Sequence, residues 1–349
     1  MEPTRVLVVD DSAVMRGIMT RIIDSQPDLK VAGVASDPVI AMERLRTARP
    51  DVITLDVEMP RMDGLTFLSR LMQWRPLPVV MVSSLTARGA ETTLRALELG
   101  AVDFMAKPQL ADVAALDAYA EQVVEKVRAA ASARVTRRSA APAAVPQRRL
   151  ARPASPLASD RVVAIGASTG GVEALRAVLA PLPSTMPPIV IAQHMPAGFT
   201  RSFAQRLDGA CEMRVKEGED GEPLQPGHAY IAPGGMHLAL ERKTGGLRAR
   251  LSAEPPVNRH RPSVDVLFRS VARAAGEHAI GVMLSGMGAD GAEAMLELRM
   301  RGARNLAQDE ASCVVFGMPK QAIALDAVHE VLPLAEIARR LVELSLANG

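Results

Sequence analysis

Ser168 stands in Ile165-Gly166-Ala167-Ser168-Thr169-Gly170-Gly171, between an apolar run that reads as a strand (161–165) and an amphipathic segment that reads as a helix (172–179). A hydroxyl hemmed by glycines on a sharp strand-to-helix turn is expected to be exposed. The helix N-terminus behind it offers backbone N–H groups to an anion. This is the setting of an acyl-transfer nucleophile. Two plainer uses of the same motif stand beside it: a serine cap on the helix, or a turn that cradles a phosphate.

Two further residues bear on that choice. His194 follows a second apolar run (189–193), and Asp290 lies just past a third (280–284). If the three runs are parallel neighbours, all three side chains emerge on one edge of one sheet, as a nucleophile, a base and the group that orients the base. Singly, each has an ordinary reading: His194 as a packing or capping histidine, and Asp290 as the N-cap of a helix over 292–300. Of the remaining histidines, His228, His278 and His329 lack this placement, while His237 and His260 are candidates to line the site. A rival signal overlaps Asp290. Gly286-Met287-Gly288-Ala289-Asp290-Gly291 matches G-x-G-x-x-G between a strand and a helix, with Asp309 about 20 residues on, the pattern of a dinucleotide site. That fingerprint belongs in the first βα turn of its domain, a position here taken by the Ser168 motif. The glycines therefore read as letting backbone approach an active site, with Met287 N–H as an oxyanion donor.

A second set of reactive residues lies in the first third of the chain. Asp10 and Asp11 end one apolar run, Asp56 another and Ser83 a third, and Lys107 follows the last. In an open parallel sheet such ends face the ligand. Three carboxylates gathered there repel one another unless a hard divalent cation joins them, and Mg²⁺ suits oxygen ligands. A lysine and a hydroxyl opposite would hold a phosphoryl group. Lys107-Pro108 fits a cis peptide that aims the lysine inward. Any one aspartate could simply cap the next helix; five matching groups at strand ends are harder to explain that way.

The elements that must position these groups follow from the pattern. At 349 residues the chain is long for one core, so two domains are expected. Apolar runs at 5–9, 30–35, 52–55, 79–82 and 102–105 alternate with helical periodicity, as in 41–46 and 91–99, which implies a parallel sheet covered on both faces. The last part repeats this logic from 162 onward and inserts a β-hairpin made of 229–231, 237–240 and 247–251, with Thr244-Gly245-Gly246 as a turn. Between the two parts, residues 128–159 hold seven arginines and four prolines but no acidic residue, and read as a linker. The expected fold class is α/β, with two doubly wound parallel-sheet domains at 1–127 and 160–349. Net charge of +2 gives no warrant for nucleic-acid or membrane binding through bulk charge. Cys211 and Cys313 suggest small core residues rather than a disulfide or metal framework. No apolar run reaches the ~18 residues of a membrane span, and the expected location is the cytoplasm.

Residues 1–127 resemble the receiver domain of two-component response regulators, a flavodoxin-like fold. The match lies in Val8-Val9-Asp10-Asp11-Ser12, Asp56-Val57-Glu58-Met59-Pro60-Arg61-Met62-Asp63-Gly64 and Ala106-Lys107-Pro108. The resemblance implies that Asp56 accepts a phosphoryl group from a chemotaxis histidine kinase. It implies that Asp10, Asp11, Asp56 and the Glu58 carbonyl hold Mg²⁺, and that Ser83 and Lys107 contact phosphoryl oxygens. Phe104 would be the aromatic that turns inward on activation. Residues 160–349 are similar to the catalytic domain of the chemotaxis receptor methylesterase family, through 165–171, Gln193-His194-Met195-Pro196, Tyr230-Ile231-Ala232-Pro233-Gly234, Arg261-Pro262-Ser263-Val264-Asp265 and 284–291. That likeness implies a Rossmann-like serine hydrolase with Ser168 as nucleophile, His194 as base and Asp290 as its orienter, Thr169 and Met287 lining the oxyanion site, and no cofactor for the hydrolysis. Its substrates would be glutamyl methyl esters and glutamines on cytoplasmic helices of chemoreceptors. Phosphorylation would relieve a restraint that the receiver places on the hydrolase. A receiver with a dinucleotide-dependent output enzyme, or one whose output half only binds DNA or protein, are the competing readings.

Overall fold

The structure is a computed structural model that describes residues 2–59, 63–84, 86–108, 113–135, 150 and 160–346. The chain divides into two compact units, Met1–Ala143 and Ala144–Gly349. Each is an α/β layer structure built on a parallel sheet.

In the first unit, β1 (Thr4–Val9), β2 (Leu29–Ala35), β3 (Val52–Asp56), β4 (Val79–Ser83) and β5 (Asp103–Ala106) alternate with α1 (Ala13–Asp24), α2 (Pro38–Ala48), α3 (Gly64–Trp74), α4 (Ala87–Glu98) and α5 (Val113–Ser132). The strand order is β2-β1-β3-β4-β5, so the direction of winding reverses between β1 and β3. Both strands end in the crevice that this reversal opens, and they deliver Asp10 and Asp56 to it. β3 and β4 are buried along their whole length, as expected of central parallel strands covered on both faces. Polar side chains start the helices: Ser12, Asp37, Asp63 and Thr86 each accept a backbone N–H at the N-terminus of α1 to α4. Ser12, not an aspartate of the pair before it, therefore caps α1.

Two expectations for this unit are corrected. Residues 128–132 belong to α5 rather than to the linker. Arg128 forms an ion pair with Asp28 at 2.7 Å, and Ala129 and Ala130 are buried, so the helix outlasts the change in composition. Of the rest of the proposed linker, 136–149 and 151–159 lie outside the described residues, as do Pro60, Arg61 and Met62 of the Asp56 motif. The bond before Pro108 is not cis; among the described residues the cis peptide joins Arg261 to Pro262.

The second unit carries a seven-stranded, all-parallel sheet, in which β6 (Val162–Ala167), β7 (Ile189–Gln193) and β12 (Ala279–Met283) lie at the centre. β13 (Arg304–Gln308) and β14 (Glu330–Leu332) extend it beyond β12, while β9 (His228–Ile231) and β8 (Arg214–Glu217) extend it beyond β7. Helices α6 (Gly171–Leu179), α7 (Phe199–Asp208), α8 (Val264–Ala274), α9 (Ala292–Met300), α10 (Met318–Ala324) and α11 (Leu334–Leu344) accompany the strands. β6 pairs with β12 on one side, Gly166 opposite Met283, and with β7 on the other, Ala167 opposite Gln193. The loops that leave these three strands consequently start side by side.

The inserted hairpin is smaller than expected. It consists of β10 (His237–Lys243) and β11 (Gly246–Ser252), with Lys243 paired to Gly246 across Thr244-Gly245. The run at 229–231 belongs instead to β9 in the main sheet, held between β7 and β8. Cys313 is buried as expected, whereas Cys211, just past α7, is only half-buried. Among the described residues no helix is long and apolar enough to cross a membrane.

The first residue of α8 fixes how closely the central strand and the loops approach one another. Val264 Cγ1 would collide with a Cβ placed at Gly166 in β6 and with one placed at Gly291, which opens α9. Gly166→Ala should therefore destabilise the second unit by about 1–3 kcal/mol, the usual result of overpacking a filled core. In calorimetry the loss should be partly recovered in Gly166→Ala/Val264→Ala, because the second change makes room for the first. Additive losses would show that Val264 is not the obstacle.

Candidate active site

The loops after β6, β7 and β12 bring Ser168, His194 and Asp290 into one line. His194 Nδ1 lies 3.1 Å from Ser168 Oγ, and His194 Nε2 lies 2.8 Å from Asp290 Oδ2. An ionised carboxylate can only accept, so the proton of the neutral ring belongs on Nε2, which leaves the Nδ1 lone pair facing the serine hydroxyl. In the trypsin arrangement the two nitrogens hold the opposite posts.

Ser168 is held by its backbone. Its N–H donates to Ser285 O at 3.0 Å, and its carbonyl accepts from Gly171 N at 2.7 Å and from Gln193 Nε2 at 3.0 Å. A side chain at position 171 would strike Gln193 Oε1, which accounts for the glycine there. Contrary to the expectation of an exposed turn, Ser168 is 6% exposed, and Thr169 is buried as well. The hydroxyl does not cap α6, whose N-cap is Gly170 at φ 80°.

Asp290 does not cap the helix that follows it either; Gly291 occupies that position. Its carboxylate reaches across to the N-terminus of α8. There Oδ2 accepts from Val264 N (2.7 Å), while Oδ1 accepts from Ser263 Oγ (2.8 Å), Asn258 Nδ2 (2.8 Å) and Asp265 N (3.3 Å). Burial alone would raise this carboxyl, but His194, Asn258 and the Val264 N–H outweigh it and hold the group well below the usual carboxylate range. The positive end of the α8 dipole acts in the same direction. The glycine-rich stretch finds a use here too. The backbone at Gly286 runs so close to the serine that a Cβ would lie 2.9 Å from Ser168 Cβ, and Met287 is the next residue along the chain.

Several residues of this site escaped the sequence reading. Ser263 and Asp265 lie in a stretch whose helix-start signal was available, a serine with an acidic residue in the first turn. Asn258, which bridges Asp290 and Asp265 (2.7 Å to the latter), carries no such signal. Burial pushes the Asp265 carboxyl up, and the charge of Asp290 adds to this. Of the two candidate lining histidines, the His260 ring stacks on His194, with centroids 3.6 Å apart. His237 stands one step back, with Nδ1 accepting from Ser263 N and Nε2 donating to Pro255 O.

In the first unit, the carboxylates of Asp10, Asp11 and Asp56 have ligand oxygens within 4.8 Å of one another and could hold a metal ion. Lys107 Nζ lies 2.7 Å from Asp56 Oδ2 and 3.3 Å from Asp10 Oδ2. Glu58 N donates to Asp56 Oδ1, Ser83 Oγ points toward the Gly89 and Ser84 carbonyls, and Phe104 is buried. Burial pushes the Asp56 carboxyl up to about 6, aided by the charge of Asp10 and opposed by Lys107.

A serine hydrolase built on a parallel α/β sheet, joined to a receiver-type unit, is the class that these two sites define. Residues 163–341 match the CheB methylesterase family, and residues 6–120 the response regulator receiver domain. A protein-glutamate methylesterase/protein-glutamine glutaminase of Burkholderia lata is 57% identical over 348 residues, covering 98% of this chain and 96% of that protein. One from Pectobacterium atrosepticum is 58% identical over 344 residues, covering 98% and 97%. Among solved structures, the catalytic domain of CheB methylesterase from Thermotoga maritima is 42% identical with a TM-score of 0.52, covering 54% of this chain and all of that one. The chain belongs to the CheB methylesterase family.

The raised Asp56 carboxyl makes a pH-dependent prediction. In the unfolded chain an aspartate loses its proton near pH 4, whereas the folded receiver keeps it to about pH 6. Stability must then fall as pH rises through that window, because the unfolded state binds fewer protons. With a chelator present, Asp56→Asn should gain stability over wild type between pH 4 and 6 and hold the gain above it, read as the receiver's melting temperature. A difference that does not vary with pH would show that the buried charge carries no such penalty.

Proposed function

We propose that Ser168, His194 and Asp290 form the triad with which this chain hydrolyses glutamyl methyl esters of chemoreceptors and deamidates receptor glutamines, in chemotaxis adaptation and under control of Asp56. The observation that carries this reading is the continuous hydrogen-bonded line from Ser168 Oγ through both nitrogens of His194 to a carboxylate kept ionised at a helix N-terminus.

His194 Nδ1 takes the proton of Ser168 Oγ as that oxygen attacks the γ-carbonyl of the substrate. The ring becomes an imidazolium whose Nε2–H faces the Asp290 carboxylate, so the new charge forms where an opposite charge is already held. Backbone N–H groups at Thr169 and Met287 receive the oxyanion. Collapse breaks the ester bond, and His194 returns its proton to the departing methoxide, giving methanol. Water then repeats the sequence on the acyl-serine and releases free glutamate. With a glutamine substrate the leaving group is ammonia, and the remaining steps are the same. The hydrolysis needs no cofactor, since every proton moves between groups already in line.

In the receiver, Asp56 accepts the phosphoryl group from a chemotaxis histidine kinase, with Lys107 and Ser83 to contact its oxygens. Asp10, Asp11, Asp56 and the Glu58 carbonyl fit Mg²⁺: they are hard oxygen donors, and among the described residues Lys107 is the cation paired with Asp10 and Asp56. Bound there, the cation would neutralise the charge that develops on the phosphoryl group. Phe104 is the aromatic that responds to phosphorylation. The activity is assigned to the cytoplasm, where receptor helices are the partner and neither nucleic acid nor membrane insertion is involved.

Methanol release from methylated receptor membranes tests the whole reading. Wild type should release methanol faster when a small phosphodonor and Mg²⁺ are added, and Asp56→Asn should lose that rise. Ser168→Ala should lower turnover by roughly 10⁴-fold, and adding His194→Ala should cost little more, because the residues act as a unit. Wild-type turnover in Ser168→Ala would remove the triad.

A further inference from the structure

The segment just before α8 makes a two-residue reversal. Val257 N–H donates to the His260 carbonyl at 3.1 Å, and His260 N–H donates back to the Val257 carbonyl at 2.9 Å. Both central residues are left-handed, Asn258 at φ 52° and Arg259 at φ 70°. Tight turns of this kind need positive φ at both positions, which asparagine tolerates and arginine rarely adopts. Such backbone persists only where its surroundings over-determine it. Here the two residues flanking Arg259 are both engaged with the active site. Asn258 Nδ2 donates to Asp290 Oδ1 and to Asp265 Oδ2, and the His260 ring stacks on His194 at a centroid distance of 3.6 Å with 11° between the planes.

These two contacts do different things. The hydrogen bonds at Nδ1 and Nε2 fix the direction of the His194 ring along the line from Ser168 to Asp290. They do not stop it from rolling about that line, since both bonds lie close to the axis of the roll. A parallel ring against one face does stop it. Asn258 acts on the far end of the line by adding a donor to Asp290 Oδ1, which helps to hold the carboxylate so that Oδ2 meets His194. We infer that the Val257–His260 turn is a positioning element of the active site: through Asn258 and His260 it sets Asp290 and His194 as one unit, and His260 acts by its ring face rather than by its nitrogens. This rests on the triad reading above and adds to it two residues that act through Asp290 and His194.

The experiment uses the full-length protein with phosphodonor and Mg²⁺. It reads kcat and KM for methanol release together with the rate at which a fluorophosphonate labels Ser168. His260→Ala should lower kcat and the labelling rate by roughly tenfold with KM within about twofold, since misplacing a catalytic group slows chemistry more than binding. His260→Phe, which restores a flat ring without nitrogens, should recover both rates to within about threefold of wild type. Asn258→Ala should resemble His260→Ala. Should His260→Ala fail to fold by circular dichroism, His260→Leu fills the space without an aromatic face and should be as slow as predicted for alanine. Wild-type rates in the alanine or leucine variant would overturn the inference. A phenylalanine variant as slow as the alanine one would also overturn it, because His260 would then act through a nitrogen. Wild-type protein that is not labelled at Ser168 would remove the triad itself, and the turn's role with it, a failure distinct from the other two.

Discussion

The carboxylate of Asp290 at the N-terminus of α8 is the contact on which the arrangement of the second unit turns. A buried carboxylate without partners would take up a proton and lose its use as an acceptor. Here two backbone N–H groups of the first helical turn, the Ser263 hydroxyl and the Asn258 amide keep it ionised, and His194 completes the set. The helix gains as well. Ser263 makes no side-chain cap on its own helix, and the N–H groups it leaves are satisfied by an aspartate from the loop between β12 and α9. One interaction thus closes α8, holds the His194 ring and joins the loop after β12 to the helix. The close approach of Val264 to Gly166 and Gly291 is the packing counterpart of that bond.

The two units solve the problem of a buried carboxylate in opposite ways, and the difference suits their tasks. Asp290 is surrounded by donors, so its charge is stable, which suits the permanent partner of a histidine that the proposed mechanism charges and discharges in each cycle. Asp56 is buried with another carboxylate beside it and relies on Lys107, which leaves its carboxyl raised to about 6. A group in such surroundings is poised to gain from a bound cation or from chemistry on its own oxygen. Burial raises both carboxyls; the donors around each one and the charges beside it decide which way it ends.

Much of this was legible in the sequence because strands announce themselves by runs of buried apolar residues, and chemistry sits where those runs stop. The runs 161–165, 189–193 and 280–284 put Ser168, His194 and Asp290 on one sheet edge on the condition that they are parallel neighbours, which the pairing of β6 with β7 and β12 meets. The same reasoning put Asp10, Asp56 and Ser83 at the ends of β1, β3 and β4. It failed where a short run has more than one possible neighbour: 229–231 is equally a hairpin strand or a parallel one, and only the pairing with β7 and β8 decides it. It failed again at 128–132, where an ion pair to a distant aspartate and two buried alanines keep a helix going after the composition has changed. The burial of Ser168 and the part played by Asn258 depend on residues far apart in the chain, and local pattern holds no record of them.

The central claim is that Asp290 fixes which nitrogen of His194 faces the nucleophile, and the proton on that ring reports it directly. Nitrogen-15 NMR of the imidazole in wild-type protein, assigned by its loss in His194→Gln, would locate this proton at a pH where the ring is neutral. The hydrogen-bonded line predicts a ring protonated at Nε2, toward Asp290, with an unprotonated Nδ1 accepting from Ser168. A neutral ring carrying its proton on Nδ1 would contradict this account, because the lone pair would then face the carboxylate and leave Ser168 without a base.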